Sequence, residues 1–265
     1  MTADELVSAL PDGGGIRDRM RTHTDRGNTM PLDLAAVMPV YNEEACIAQV
    51  VASWRDMLDT LGITYRIIVL NDGSKDNTAQ VLGVFAADTR IQVVNKPNAG
   101  HGPTILQGYR MGVECATWVF QCDSDDELKP KHFPDLWKDH EQYDALFGIR
   151  THRQQHPSRQ VISAVSRLAV RLFFGAGIRD VNVPYRLMRA SILRQIVTQI
   201  PADTFAPNVI ISGALNKARA HIFEIPVEHE NRKTGSVSIA KWKLLKAAMR
   251  SLVQTVRCRP KVNRA

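Results

Sequence analysis

Between residues 34 and 122, four short apolar runs alternate with segments of helical periodicity. Continuous runs of this length are typical of buried strands, and they lie at residues 34–38, 65–70, 91–94 and 117–120. Such alternation predicts an α/β fold, a single Rossmann-like, doubly wound and mostly parallel sheet with right-handed crossovers and flanking helices. Ligands of these sheets bind in the crevice at the carboxyl ends of the strands.

The rest of the chain divides into regions of different composition. Residues 1–30 have three consecutive glycines and little apolar periodicity, so we predict a mobile N-terminal extension. Residues 31–237 would form the α/β domain, and residues 238–265 a basic amphipathic C-terminal helix and tail. Further elements of the central domain are expected at residues 145–149, 161–174 and 222–227.

The net charge of +7 indicates an anionic partner. The basic residues form no recognisable nucleic-acid module, so a diphosphate or a phospholipid headgroup is the better candidate and nucleic acid is not expected. We find no apolar stretch of about 18 residues and no signal pattern, so an integral membrane protein is not expected. Four cysteines without regular spacing favour a reducing cytoplasm. Peripheral contact of the C-terminal helix with the inner membrane face is an alternative to its packing on the sheet.

An acidic cluster follows the run at residues 117–120 directly. Asp123 and Asp125 therefore lie at the carboxyl edge of a strand, where their mutual repulsion costs stability unless a cation relieves it. Mg²⁺ takes one or two protein carboxylates and completes its shell with phosphate oxygens. The alternative is a solvated acidic turn.

Four motifs place further polar residues at this edge, and they resemble those of a known family. The motifs are "VMPVYNEE" (37–44), "IIVLNDGSKDNT" (67–78), "NAGHGPTILQGYRMG" (98–112) and "QCDSDDELKP" (121–130). In this order and spacing they resemble the signatures of family 2 glycosyltransferases with the GT-A fold, over about residues 32–235. The resemblance implies an enzyme that uses a nucleotide-sugar donor, UDP- or GDP-linked.

The resemblance also implies which residues bind the nucleotide. Pro39 and Tyr41 would flank the base, while Glu43 and Asp72 would accept hydrogen bonds from its N–H groups, a task that suits an ionised carboxylate. For Asp72, capping of its own loop is the alternative. Two glycines, Gly100 and Gly102, would let the backbone approach the donor, although a plain turn is nearly as compatible with them.

The metal site implied by the resemblance uses the acidic cluster. Asp125 would bind Mg²⁺ or Mn²⁺ directly, Asp123 would bind the ribose or the metal, and Glu127 would supply a further metal-site side chain. The two aspartates would be catalytic because the ion offsets charge growing on the departing nucleoside diphosphate.

The second half of the chain resembles the polyprenyl-phosphate group of the same family, which includes the dolichol-phosphate mannosyltransferases. In "GIRDVNVPYRLMRASIL" (177–193), Asp180 and Arg186 match that group, whereas residues 183–185 depart from it. Arg186 would then meet an acceptor phosphate, and for Arg150 such a contact and a solvated surface position are equally compatible with the sequence. In "EIPVEHENRKTGSVS" (224–238), Arg232 and Ser236 align, and Arg232 would contact the diphosphate and take part in catalysis.

Two reactions follow from these expectations. The first is inverting transfer of the sugar to a polyprenyl phosphate, an acceptor already ionised at neutral pH that needs no strong base. The second has a soluble hydroxyl or amine as acceptor, as in secondary-metabolite glycosylation, and needs a general base, Asp180 or Asp203. A binding module without activity is disfavoured by the intact pair of aspartates. A nucleotidyltransferase is disfavoured because no glycine-rich basic loop follows the first strand.

Overall fold

Seven strands form one mixed sheet in the computed structural model, which describes residues 30–151, 178, 180–181, 183–228, 254, 257–258 and 260–262. The strands are β1 (Leu32–Val40), β2 (Tyr65–Asp72), β3 (Ile91–Lys96), β4 (Ala116–Cys122), β5 (Ala145–Thr151), β6 (Tyr185–Arg189) and β7 (Ile222–Glu228). Their order in the sheet is β3-β2-β1-β4-β6-β5-β7. Only β6, among the described strands, runs antiparallel to its neighbours β4 and β5. The predicted mostly parallel α/β sheet is therefore confirmed.

Helices cover the sheet and connect its strands. They are α1 (Ile47–Asp59), α2 (Thr78–Leu82), α3 (His101–Cys115), α4 (Phe133–Trp137), α5 (Ala190–Val197) and α6 (Pro207–Lys217). Short 3₁₀ turns occur at Gly83–Phe85, Pro130–His132 and His140–Gln142. No helix in the described part of the chain is long and apolar enough to cross a bilayer.

The central strands are buried on both faces. Residues 34–38 of β1 are 0 % exposed, which explains why this strand is continuously apolar instead of alternating. Trp54 of α1 packs against Phe120 of β4, with ring centroids 5.2 Å apart. The preceding residue of β4, Val119, faces α3, where its methyl groups contact the position of Gly112. Because successive side chains of a strand point to opposite faces, α1 and α3 lie on opposite sides of the sheet.

The strand order reverses beside β1. The chain passes from β1 through β2 to β3 on one side, and β4 then returns to the other side of β1. A crevice forms at the carboxyl ends of the strands at such a reversal. The loops that follow β1, β2 and β4 therefore meet there.

Several predicted features lie outside the described residues. These are the N-terminal extension, the helix at 161–174 and the C-terminal helix from residue 238, so the domain boundaries stay predictions. The expected strands near 145–149 and 222–227 are β5 and β7. The sequence reasoning missed β6, α5 and α6.

Candidate functional site

A cleft of about 510 Å³ lies where β1, β2 and β4 end. Seven of the predicted nucleotide and metal residues line it together. The complete lining is Pro39, Val40, Tyr41, Glu43, Asp72, Asn98, Gly100, His101, Thr104, Asp123, Ser124 and Asp125. Residues from four separate motifs thus share one surface, as the parallel topology requires.

The loop between β1 and α1 is fixed by hydrogen bonds to the loop after β2. The backbone N–H of Asn42 donates to Ser74 Oγ, and that of Glu43 donates to Thr78 Oγ1, both at 2.9 Å. In return, the N–H of Lys75 donates to Asn42 Oδ1 at 2.8 Å. Asn42 has a φ of 55°, a left-handed conformation that asparagine tolerates better than most residues. The motif "DGSKDNT" therefore supplies the hydroxyl groups that shape the first loop.

This loop presents two side chains of contrasting exposure to the cleft. Tyr41 is 40 % exposed, so its ring is accessible for stacking on a flat ligand. Glu43 is 8 % exposed, and its backbone carbonyl accepts the N–H groups of Cys46 and Ile47 at the start of α1. The arrangement suits an aromatic base held by a ring and a carboxylate.

Asp72 organises the loop that precedes α3. Its carboxylate accepts the backbone N–H groups of Ala99 and Gly100, each at 2.8 Å, and forms an ion pair with Lys96. Burial opposes the ionisation of Asp72, but the contacts with Lys96, Ala99 and Thr104 outweigh it and lower its pKa. Asp72 therefore caps a distant loop and not its own, and its contact with a base stays a prediction.

The two predicted glycines have different roles. Gly100 lines the cleft and has a φ of 91°, which strongly favours glycine. Gly102 lies outside this cleft, in an adjacent apolar cavity of about 800 Å³. A Cβ atom on Gly102 would lie 2.1 Å from the carbonyl oxygen of Phe205. Gly102 thus permits close approach of another part of this chain, where the prediction had expected the donor.

Asp123 lies half-buried at the inner end of the acidic cluster. Its Oδ1 accepts a hydrogen bond from Gln121 Nε2 at 3.3 Å. Burial raises the pKa of Asp123 above its ordinary value, against the opposing effects of His101, Gln121 and Arg150. A group that is costly to ionise is stabilised by a cation beside it.

Asp125 shares the cleft wall with Asp123. Its Oδ1 accepts the backbone N–H of Glu127 at 3.2 Å, so the turn itself orients the carboxylate. Glu127 does not line the cleft, and Asp126 forms an ion pair with Lys129. In the part of the chain that the structure describes, no three histidine, cysteine or acidic residues form a ready metal cluster. The hard oxygen donors of Asp123 and Asp125 suit a divalent cation that takes its other ligands from phosphates.

Arg150 and Asp180 are brought together at the end of β5. The guanidinium donates from Nε and Nη2 to Asp180 Oδ2, at 2.9 and 2.8 Å. Both side chains are mostly buried, at 11 % and 22 % exposed. Neither residue lines the cleft. The positive charge of Arg150 nevertheless acts on Asp123 and opposes the rise of its pKa. The predicted acceptor contact of Arg150 and the catalytic role of Asp180 stay predictions.

Arg186 was predicted to contact an acceptor phosphate, but the structure places it in the interior of the protein. It is 0 % exposed, and its guanidinium lies over the ring of Phe147 at 4.7 Å. It donates to the backbone carbonyls of Val181, Val183 and Asn208 and to Ser212 Oγ. A fully enclosed guanidinium whose N–H groups face protein acceptors has a positioning role in the fold. The predicted sites at Arg232 and Ser236 lie outside the described residues.

The sequence reasoning missed several residues of the site. Asn98 donates from Nδ2 to the backbone carbonyl of Asp72 at 2.8 Å, and buried Thr104 accepts a hydrogen bond from Lys96. His101, which the sequence had offered only as the weakest candidate of the glycine-rich motif, is the first residue of α3 and lines the cleft near Asp123. Asn98, His101 and Thr104 all belong to the glycine-rich motif at residues 98–112. Only the fold shows which side chains of that motif turn towards the cleft.

Curated proteins with similar sequences include two transferases of the same name. The undecaprenyl-phosphate 4-deoxy-4-formamido-L-arabinose transferase of Pseudomonas aeruginosa is 29 % identical over 220 residues, which cover 81 % of this chain and 63 % of that protein. The transferase of the same name from Shewanella sediminis is 27 % identical and is matched over 60 % of its length, by 76 % of this chain. The chain thus spans about three fifths of these relatives.

A solved structure has the same fold. Glucosyl-3-phosphoglycerate synthase from Mycobacterium tuberculosis, crystallised with Mn²⁺, UDP-glucose and phosphoglyceric acid, superposes with a TM-score of 0.62. The two chains are 18 % identical, and the match covers 87 % of this chain and 81 % of the other. The model of glycosyl transferase family 2 matches residues 35–197, more than half of the sequence. The chain therefore belongs to glycosyl transferase family 2.

Proposed function

We propose that this family 2 glycosyltransferase moves a sugar, with inversion, from a nucleoside diphosphate to a polyprenyl phosphate, and that it requires a divalent cation. The observation that carries the proposal is the shared cleft, which is lined by an accessible ring, Tyr41, and by two carboxylates, Asp123 and Asp125. A ring suits a nucleotide base and two carboxylates suit a cation bound to a diphosphate.

The donor would lie along the cleft from β1 to β4. Tyr41 and Pro39 would flank the base, and Glu43 would accept a hydrogen bond from it. Asp72 already accepts three hydrogen bonds, which leaves room for about one more at its two oxygens. The related fold crystallised with UDP-glucose supports a uridine donor, and GDP-sugars are the alternative.

The carboxylates of Asp123 and Asp125 would hold Mn²⁺ or Mg²⁺ against the diphosphate. Such an ion offsets the negative charge that develops on the departing nucleoside diphosphate. The protein supplies a site in which Asp125 is oriented by its own turn and Asp123 by Gln121. Oriented ligands reduce the reorganisation that the reaction requires.

The acceptor assignment rests on the named relatives and on the chemistry of a phosphate. Both relatives carry undecaprenyl phosphate in their names. A phosphate monoester is largely ionised at pH 7, so attack on the sugar needs no strong base. Asp180, one of the two base candidates for a soluble acceptor, instead pairs with Arg150. This pairing makes Asp180 a poor base and leaves Asp203 as the base that a hydroxyl or amine acceptor would need.

The test is a matrix of donors and acceptors. UDP- and GDP-sugars would be incubated with a short-chain prenyl phosphate, or with water-soluble alcohols and amines, in Mn²⁺ or in EDTA. We expect a lipid-soluble product from prenyl phosphate with one donor class, and none in EDTA. Turnover restricted to soluble acceptors would replace the proposal with the alternative, and full activity in EDTA would refute the role of the cation.

A further inference from the structure

Behind the cleft, three buried polar side chains from different elements form a closed triangle. Tyr109 comes from α3, Gln121 from β4 and Asn208 from α6, and they are 0 %, 0 % and 3 % exposed. Tyr109 Oη lies 2.5 Å from Gln121 Oε1 and 2.8 Å from Asn208 Oδ1. Asn208 Nδ2 donates to Gln121 Oε1 at 2.8 Å. Buried amides and hydroxyls persist in a core only when they are hydrogen-bonded in this way.

The triangle determines which way the Gln121 amide points. Its oxygen accepts from Asn208 Nδ2 and from the Tyr109 hydroxyl, whose single proton is shared between Gln121 Oε1 and Asn208 Oδ1. A half-turn of the amide would place its NH₂ group against the NH₂ group of Asn208 and would turn its oxygen towards the Asp123 carboxylate. In the observed orientation both acceptor sites of the oxygen face protein donors. The Nε2 group is thereby directed out of the triangle.

This outward-directed group reaches the cleft. Gln121 Nε2 donates to Asp123 Oδ1 at 3.3 Å, and Asp123 lines the proposed donor site. The network therefore continues from the interior to a carboxylate of the site.

The same network is anchored at its far end. The backbone carbonyl of Asn208 accepts from Arg186 Nη1 at 3.3 Å, which holds the first turn of α6 beside β6. The position of Asn208 is consequently fixed by a fully buried guanidinium. Contacts from α3, α6 and Arg186 of β6 thus together fix the orientation of the Gln121 amide.

We propose that Gln121 is a positioning residue, which Tyr109 and Asn208 lock so that its N–H directs the Asp123 carboxylate into the donor site. The inference rests on the proposed function, since it concerns the same cleft. Side chains that orient a ligand of a metal or substrate typically contribute about 10- to 100-fold in affinity or activity.

The first measurement is structural and needs no donor. Crystal structures of the wild type and of Gln121→Met, a change that nearly conserves volume, would be compared at Asp123. We expect the carboxylate to leave its wild-type rotamer in the variant. An unchanged Asp123 would overturn the inference, whatever the enzyme proves to transfer.

The second measurement is the affinity for UDP, or for GDP if the wild type prefers it, in the presence of Mn²⁺, by calorimetry. We expect Gln121→Met to weaken binding about 10-fold and Tyr109→Phe, which removes one of two locks, about 3-fold. Tyr109→Phe keeps the ring, so it tests the inference if the first variant does not fold.

A matched control separates positioning from general destabilisation. Tyr65→Phe removes another buried tyrosine hydroxyl, one that bonds Asp59 and the carbonyl of Arg55 at the amino end of β2 and takes no part in this network. It should lower the unfolding midpoint and leave nucleotide affinity within about 2-fold. An equal loss of affinity in Tyr65→Phe would overturn the inference. Wild-type protein without any nucleotide affinity would count against the proposed function, while the rotamer of Asp123 would still decide this inference.

Discussion

The carboxylate of Asp72 accepts the backbone N–H of Gly100 at 2.8 Å, across 28 residues of chain. This bond joins the end of β2 to the residue immediately before α3. It places the glycine-rich loop over the cleft, and Lys96 neutralises the carboxylate from the neighbouring strand. One side chain therefore determines the position of a whole wall of the site.

Replacement of Asp72 by alanine should destabilise the protein strongly. The variant leaves Lys96 without its partner and two backbone N–H groups without an acceptor, and removing one member of a buried pair costs about 3–5 kcal/mol. Urea unfolding would measure the loss. Asp56→Asn, at an exposed carboxylate paired with Arg55, is the matched control and should cost less than about 1 kcal/mol. Equal losses in the two variants would contradict this account of Asp72.

The contribution of Asp72 to the free energy of unfolding should also depend on pH. Its pKa is lowered in the folded protein, so the unfolded chain binds a proton first as the pH falls. The stabilisation is complete above the unfolded pKa of about 4 and is lost as the pH falls through the lower folded value. The difference in stability between wild type and Asp72→Ala should therefore be constant from pH 7 to about 5 and shrink below 4. A difference independent of pH down to 3 would rule out the charged contacts as its source.

Gly102→Ala should show that the first turn of α3 is closely packed. The added Cβ would lie 2.1 Å from the carbonyl oxygen of Phe205 and 2.5 Å from that of Thr204. Relief of these clashes would require the backbone of residues 204–205 to move, which costs more free energy than moving a side chain. We expect a loss of about 1–3 kcal/mol in thermal or urea unfolding. Gly83→Ala is the control, since its Cβ would meet nothing within 4 Å and the backbone there is helical. It should be neutral or slightly stabilising.

Asp125→Asn should abolish most of the transfer activity while leaving the fold intact. The amide keeps the shape of the side chain but removes the charge proposed to hold the cation. We expect kcat to fall at least about 100-fold, with an unchanged unfolding midpoint.

Asp126→Asn makes the same chemical change one residue away. Asp126 has a φ of 60°, which asparagine tolerates, and its ion pair with Lys129 is partly exposed. The variant should retain activity within about 2-fold. Full activity of Asp125→Asn in the same assay would remove the basis of the proposed metal site.

The sequence predicted the cleft well because strand ends in a parallel sheet share one edge. Once 34–38, 65–70 and 117–120 are recognised as strands, Tyr41, Asp72 and Asp123 must meet, and they do. This part of the fold depends on local periodicity and on connection rules that hold for nearly all such sheets.

The remaining differences come from contacts with distant parts of the chain. Gly102 was expected to approach a ligand, but its neighbour is Phe205, a residue 103 positions away. Arg186 was expected at an acceptor, yet contacts with α6, Val181 and Val183 enclose it. An arginine next to motif residues gives no local sign of whether it will face a ligand or a carbonyl, since both need the same five donors.

The hydroxyl bonds from Ser74 and Thr78 to the first loop have a consequence for recognition. The backbone N–H groups of Asn42 and Glu43 are already hydrogen-bonded to these hydroxyls. A nucleotide that binds beside Tyr41 would therefore lose little free energy in ordering the loop. Preorganisation of this kind leaves more of the contact energy available as affinity. If Tyr41 and Glu43 bind the base as proposed, this ordered loop should discriminate between pyrimidine and purine even for a bare nucleoside, before any phosphate or sugar is engaged.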